Sequence, residues 1–94
     1  MKIYISGAIT NKFDYREKFA KAEEYLKNLG HAVLNPALLP VGLNYDDYMQ
    51  IGYKMIDCSD GIYMLEGWRD SKGAKLEYGY ANSKNKKLFM EEIK

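Results

Sequence analysis

The sequence predicts a doubly wound α/β domain built on a four-stranded parallel sheet of order 2-1-3-4. Three observations carry that expectation. Four short β-rich runs alternate with three helical stretches along the 94 residues. The first and third runs are almost continuously apolar, as in strands covered on both faces. Glycine and proline fall between the runs, where a chain that crosses from strand to helix and back must turn. Right-handed crossovers then make the parallel sheet the natural solution.

The first strand is Lys2 to Ser6, with Ile3, Tyr4 and Ile5 in succession. It breaks at Ser6-Gly7-Ala8-Ile9-Thr10-Asn11, a small-residue loop whose backbone N–H groups can approach a ligand closely, or which serves simply as a strand-to-helix turn. From about Asp14 the apolar positions Tyr15, Phe19, Ala22, Leu26 and Leu29 recur at spacings of four and three and give a helix one buried face. Gly30 stops it. Ala32 to Asn35 reads as the second strand, ended by Pro36, and Pro36 to Gly42 as a loop that packs on the body like a lid.

Asn44 or Asp46 caps the next helix, with Tyr45, Tyr48, Met49, Gly52, Met55 and Ile56 facing inward. Gly52 costs about 1 kcal/mol against alanine in mid-helix and calls for close packing or room for a ligand. Asp60 to Leu65 is the third strand, and Lys87 to Met90 the fourth. Between them, Asp70-Ser71-Lys72-Gly73 runs into a helix carrying Glu77. If Ser71 or Lys72 caps that helix, its N–H groups and positive dipole end form a seat for an anion such as phosphate. Glu77 shares its stripe with Gly73, Ala74, Tyr80 and Ala81, an unusual place for a charge, although acids near helix N-termini also complement the dipole.

In the flavodoxin-like arrangement of such elements the ligand crevice lies beyond the carboxyl ends of the first and third strands, where the strand order reverses. That brings the Ser6-to-Thr10 loop beside Gly67-Trp68-Arg69-Asp70-Ser71. Residues 1–94 thus form one domain with one cleft, small enough to gain from a second subunit. Nine tyrosines supply rings and hydroxyl tips suited to nucleobase pockets and to subunit interfaces alike.

Composition excludes other classes. Fourteen basic and thirteen acidic side chains leave a net charge of +1, and the lone basic cluster, Lys84-Asn85-Lys86-Lys87, is no footprint for duplex nucleic acid. Cys58 has no partner for an intramolecular disulfide, and with His31 alone it cannot build a structural zinc site. No apolar run reaches membrane-spanning length and Met1 to Ile5 does not continue as a signal sequence, so a reducing cytoplasm is expected.

Ile3-Tyr4-Ile5-Ser6-Gly7-Ala8-Ile9, Asp60-Gly61-Ile62-Tyr63 and Gly73-Ala74-Lys75-Leu76-Glu77-Tyr78-Gly79-Tyr80-Ala81 resemble, in order and spacing, the nucleoside 2-deoxyribosyltransferase and nucleotide N-glycosidase superfamily, most of all its compact branch found in phages and prophages. The resemblance implies a nucleotide-binding domain without cofactor or metal, assembled as a homodimer or larger, in a host cytoplasm if phage-encoded. It makes Glu77 the nucleophile toward the anomeric carbon, as in retaining glycoside hydrolysis. It makes Ser71 a ligand of the 5′-phosphate, with Lys72 and Gly73 beside it, and the loop Ser6, Gly7, Ala8, Ile9 and Thr10 a cover for the sugar and phosphate. Asp60, Gly67 and Trp68 complete the binding set. One position departs. The enzymes carry an aspartate eight residues before Asp60, to orient the sugar and assist the proton; here Gly52 stands there, and neither Asp57 nor Asp47 substitutes without a shift of the helix. Two functions are therefore expected, cleavage or transfer of an N-glycosidic bond through Glu77, or inert binding that sequesters a nucleotide signal in the space a glycine opens.

Overall fold

The computed structural model describes residues 1–9 and 15–91. Its elements are β1 (Lys2–Ser6), α1 (Tyr15–Asn28), β2 (Ala32–Leu34), α2 (Tyr45–Asp57), β3 (Gly61–Met64), α3 (Lys72–Ser83) and β4 (Lys87–Met90), with single 3-10 turns at Pro36–Leu38 and Trp68–Asp70. The strands form one sheet of order β2-β1-β3-β4, every neighbouring pair parallel. The register sets Tyr4 against Ile62 and Ser6 against Met64, so β1 and β3 end level at the same edge.

Alternation along β1 divides the core in two. Ile3 and Ile5 pack with Phe19, Ala22 and Leu26 of α1, whereas Tyr4 packs with Ile56 of α2 and with Ala74 and Ala81 of α3. Helix α1 therefore covers one face of the sheet and the α2–α3 pair the other.

Local chemistry sets the ends of the helices. Asn44 and Asp47 form a reciprocal capping box at α2. At the end of α1, Gly30 takes φ +93°, its N–H donates to Lys27 O and His31 N–H to Leu26 O, a closing turn that disfavours any side chain at Gly30. Helix α1 stops one residue short of Leu29, which is 57% exposed and does not belong to the buried face the spacing suggested. No described helix is long and apolar enough to cross a membrane.

Candidate active site

Because side chains alternate, Tyr4 and Ser6 leave β1 on the same side, toward α3. The strand places their hydroxyls one behind the other, and both meet Glu77. Tyr4 Oη donates to Glu77 Oε2 at 2.7 Å and Ser6 Oγ donates to Oε1 at 2.6 Å. These are short, charge-assisted contacts. Glu77 is 7% exposed and Ser6 fully buried. The unusual stripe of α3 is thus explained: Ala74 and Ala81 let the helix lie close on the sheet, and Glu77 between them reaches the two hydroxyls.

Burial holds the Glu77 carboxyl above its ordinary range, while the hydrogen bonds from Ser6 and Tyr4 pull it partly back. The Tyr4 phenol is raised well above its usual value by its own burial, then by the charge and hydrogen bond of Glu77. It keeps its proton and stays a donor. Tyr53 of α2 is also raised, by burial and then by Glu77. The outcome is a poorly solvated carboxylate fixed by two neutral donors, an arrangement suited to attack on an electron-poor carbon and to release from it.

Glu77 opens onto a cavity of about 680 Å³, large enough for a nucleotide. Gly7, Ala8 and Ile9 line one side, Gly67 and Asp70 to Gly73 another, and Tyr45, Tyr48 and Met49 of α2 a third. Ser71 is the N-cap of α3: its Oγ accepts from Ala74 N–H at 3.2 Å, and its hydroxyl can still donate. A Cβ at Gly73 would touch Met49 and Tyr45, so α2 reaches across the first turn of α3. Gly7 also has a packing reason, since a Cβ there would press on Leu65.

Residues 1–90 match the family model described as "Domain of unknown function (DUF4406)". The chain belongs to that family. No curated protein sequence matches it. Among solved structures, this DUF4406 domain is similar to the CMP N-glycosidase BcmB of Clostridium botulinum, at 20% identity and TM-score 0.71 over 96% of this chain and 70% of that one. It is similar to a 2-deoxyribosyltransferase of Bacillus psychrosaccharolyticus, at 23% identity and TM-score 0.73 over 100% of this chain and 77% of the other. A 2-deoxyribosyltransferase of Leishmania mexicana matches at 20% identity and TM-score 0.75 over 95% of this chain, which spans 62% of that enzyme's length. The DUF4406 domain therefore shares the fold of the deoxyribosyltransferase and N-glycosidase superfamily.

The fold of the DUF4406 domain gathers Glu77, Gly7, Ala8, Ile9, Gly67, Ser71, Lys72 and Gly73 around one cavity, with Ser6 behind Glu77. Thr10 lies outside the described residues. Two of the expected site residues stand apart from this cavity. Asp60 precedes β3 and so sits at the amino-terminal edge of the sheet, away from the cavity, where its exposed carboxylate accepts from Lys2 N–H at 2.8 Å. Trp68 is 9% exposed and packs into the core instead of the cavity wall, stacked on Tyr78 at 4.7 Å with the Arg69 guanidinium 4.6 Å from its ring. A buried ring gains more from apolar cover there than at an open edge.

The space beside Gly52 is also not a ligand's. It is filled by the Glu77 carboxylate and the Tyr4 hydroxyl. Asp57 is turned outward, accepting from Tyr80 Oη at 2.6 Å, and Asp47 serves the α2 cap. Neither lines the cavity.

Sequence reasoning missed the cavity roles of Tyr4, Tyr15, Lys18, Phe19, Leu39 and Leu43. A signal existed for Tyr4, two residues before Ser6 on one strand face. For Leu39 the signal was the lid-like loop from Pro36 to Gly42; none existed for Leu43, which the chain path past that loop brings in. Tyr45, Tyr48 and Met49 were legible as inward positions. They lie on the face of α2 that continues to Gly52 and Ile56, Met49 being the first buried residue of that face. Among the described residues no group of three or more His, Cys, Asp or Glu could hold a metal ion.

Proposed function

We propose that this domain cleaves or transfers the N-glycosidic bond of a nucleoside or deoxynucleoside 5′-phosphate through Glu77. The observation that carries the reading is the buried Glu77 carboxylate, held by Tyr4 and Ser6 and open to a cavity that the N-terminus of α3 also lines. The likeness in fold to a CMP N-glycosidase and to 2-deoxyribosyltransferases supports the same chemistry. A carboxylate oxygen of Glu77 bonds to the anomeric carbon as the carbon–nitrogen bond breaks. The electron pair leaves with the base, which takes a proton from solvent or from a cavity group. Water or a second base then attacks the anomeric carbon and frees Glu77. The hydroxyls of Tyr4 and Ser6 stabilise the carboxylate as it departs.

Incubating the protein with a panel of nucleoside 5′-monophosphates and their deoxy forms, followed by chromatography for free base, tests the reading. Base release from one of them is expected. A second reading, an inert nucleotide-binding protein, is favoured by one observation, the glycine at position 52 where the resembled enzymes carry an acid. Nucleotide that binds and is recovered intact after denaturation would establish the second reading and end the first.

The α3 N-terminus gives a separate expectation. Ser71, Lys72 and the open N–H groups favour a phosphate, so a nucleoside 5′-monophosphate should bind at least about tenfold more tightly than its nucleoside. Ser71→Asp keeps a good N-cap and sets a negative charge against the phosphate. It should leave the melting temperature nearly unchanged and erase the preference in calorimetry; equal affinities in the parent protein would remove the phosphate from the account.

We further infer self-association. Leu38 and Val41, 78% and 73% exposed in the segment that also brings Leu39 to the cavity, support it. Light scattering should give a multiple of 10.9 kDa, and a monomer mass at micromolar concentration would contradict it.

A further inference from the structure

We propose that Gly52 is a positioning residue for Glu77: the missing side chain on α2 is the seat in which the Glu77 carboxylate meets the Tyr4 hydroxyl. The role of that carboxylate in bond cleavage rests on the proposed function, whereas the seat itself does not. A Cβ built at Gly52 would overlap Glu77 Oε2 and lie 3.0 Å from Tyr4 Oη. These are the two atoms joined by the 2.7 Å hydrogen bond. No backbone atom is among the nearest obstacles. The pressure of an added methyl therefore falls on the end of a flexible side chain, and the carboxylate gives way before the helices do.

The geometry also changes the meaning of the glycine. With Glu77 where it is, an aspartate at position 52 would compete for the same volume and set a second carboxylate against the first. Gly52 is thus coupled to the observed position of Glu77, and its lack of a side chain serves the carboxylate instead of a larger ligand. Among the described residues, the titratable groups on the elements packed on α3 whose protons Glu77 helps to hold are Tyr4 on β1 and Tyr53 on α2.

Two measurements test the seat without requiring activity. The first is a thermal double-mutant cycle of Gly52→Ala and Glu77→Ala. Alanine at 52 is the better helix former. It should raise the melting temperature in the Glu77→Ala background, where the carboxylate is gone and the Tyr4 hydroxyl has room to shift, and lose that gain, or lower the temperature, with Glu77 present. Equal effects in the two backgrounds, or a Gly52→Ala protein that fails to fold in both, would overturn the proposal.

The second is carbon-13 titration of the Glu77 carboxyl by nuclear magnetic resonance, with the signal assigned by its loss in Glu77→Gln. In the parent background Tyr4→Phe removes a donor and should move the titration up. Gly52→Ala should push the carboxylate toward water, move its titration down toward the ordinary range, and abolish the effect of Tyr4→Phe. An unchanged titration in Gly52→Ala, or an effect of Tyr4→Phe that is the same in both backgrounds, would show that the glycine does not seat the carboxylate.

Discussion

Glu77→Gln should abolish the proposed base release, with an expected fall of roughly 10³-fold or more, the scale seen when a covalent nucleophile is removed. The proposed nucleotide affinity should change only severalfold, because glutamine keeps the shape and both hydroxyls can still hydrogen-bond the amide. Paired turnover and calorimetry on the same nucleotide check this split. Loss of binding together with turnover would make Glu77 a binding group instead of the attacking one.

The same substitution has a stability signature whose sign follows from burial. Glu77 titrates above the ordinary carboxylate value of 4.5, chiefly because burial penalises its charge. Below that value the carboxyl is neutral in both folded and unfolded chains and costs nothing. As pH rises through the window between the ordinary and the raised value, the unfolded chain loses its proton first, and folding is progressively disfavoured. Glutamine has no such window. The advantage of Glu77→Gln in melting temperature should therefore grow as the pH rises above the ordinary value of 4.5. A difference that stays flat or shrinks would show that the hydrogen bonds from Tyr4 and Ser6 outweigh burial.

Phe19→Ala gives the largest loss of stability. The ring is 1% exposed, packs with Ile3, Ile5 and Leu26, and meets Tyr15 edge-on at 6.4 Å. Truncating such a side chain costs about 3–5 kcal/mol. A domain of this size has roughly 5–14 kcal/mol in all, so the melting temperature should fall by roughly 15–30 °C. Because Phe19 also lines the cavity, the proposed nucleotide binding should weaken with it. Leu29→Ala is the contrast. The residue is 57% exposed, and the change should stay within about 0.5 kcal/mol. Denaturant midpoints for the two variants check both, and similar shifts would mean that Leu29 is covered in solution by a partner subunit.

Chain pattern alone carried the architecture. The alternation of apolar runs and helical periods predicted four parallel strands in the order observed, and Gly30 and Ser71 marked helix ends because their chemistry is local. Glu77 stood out from its own helix, since a carboxylate between alanines is anomalous wherever the helix goes. The topology brought the Ser6 loop toward its helix, but the hydrogen bonds that Tyr4 and Ser6 make to its carboxylate were not legible. Tyr4 and Ser6 lie more than seventy residues away, and only the packing of α3 on β1 brings them to it. Packing likewise gave Gly52 its meaning, drew Trp68 into the core and left Asp60 at the far edge of the sheet. Periodicity reports which face of an element is apolar and where the element stops, both properties of neighbouring residues. Which polar atoms meet, and which volume is already filled, is decided by the approach of faces from distant parts of the chain, and there the sequence by itself is silent.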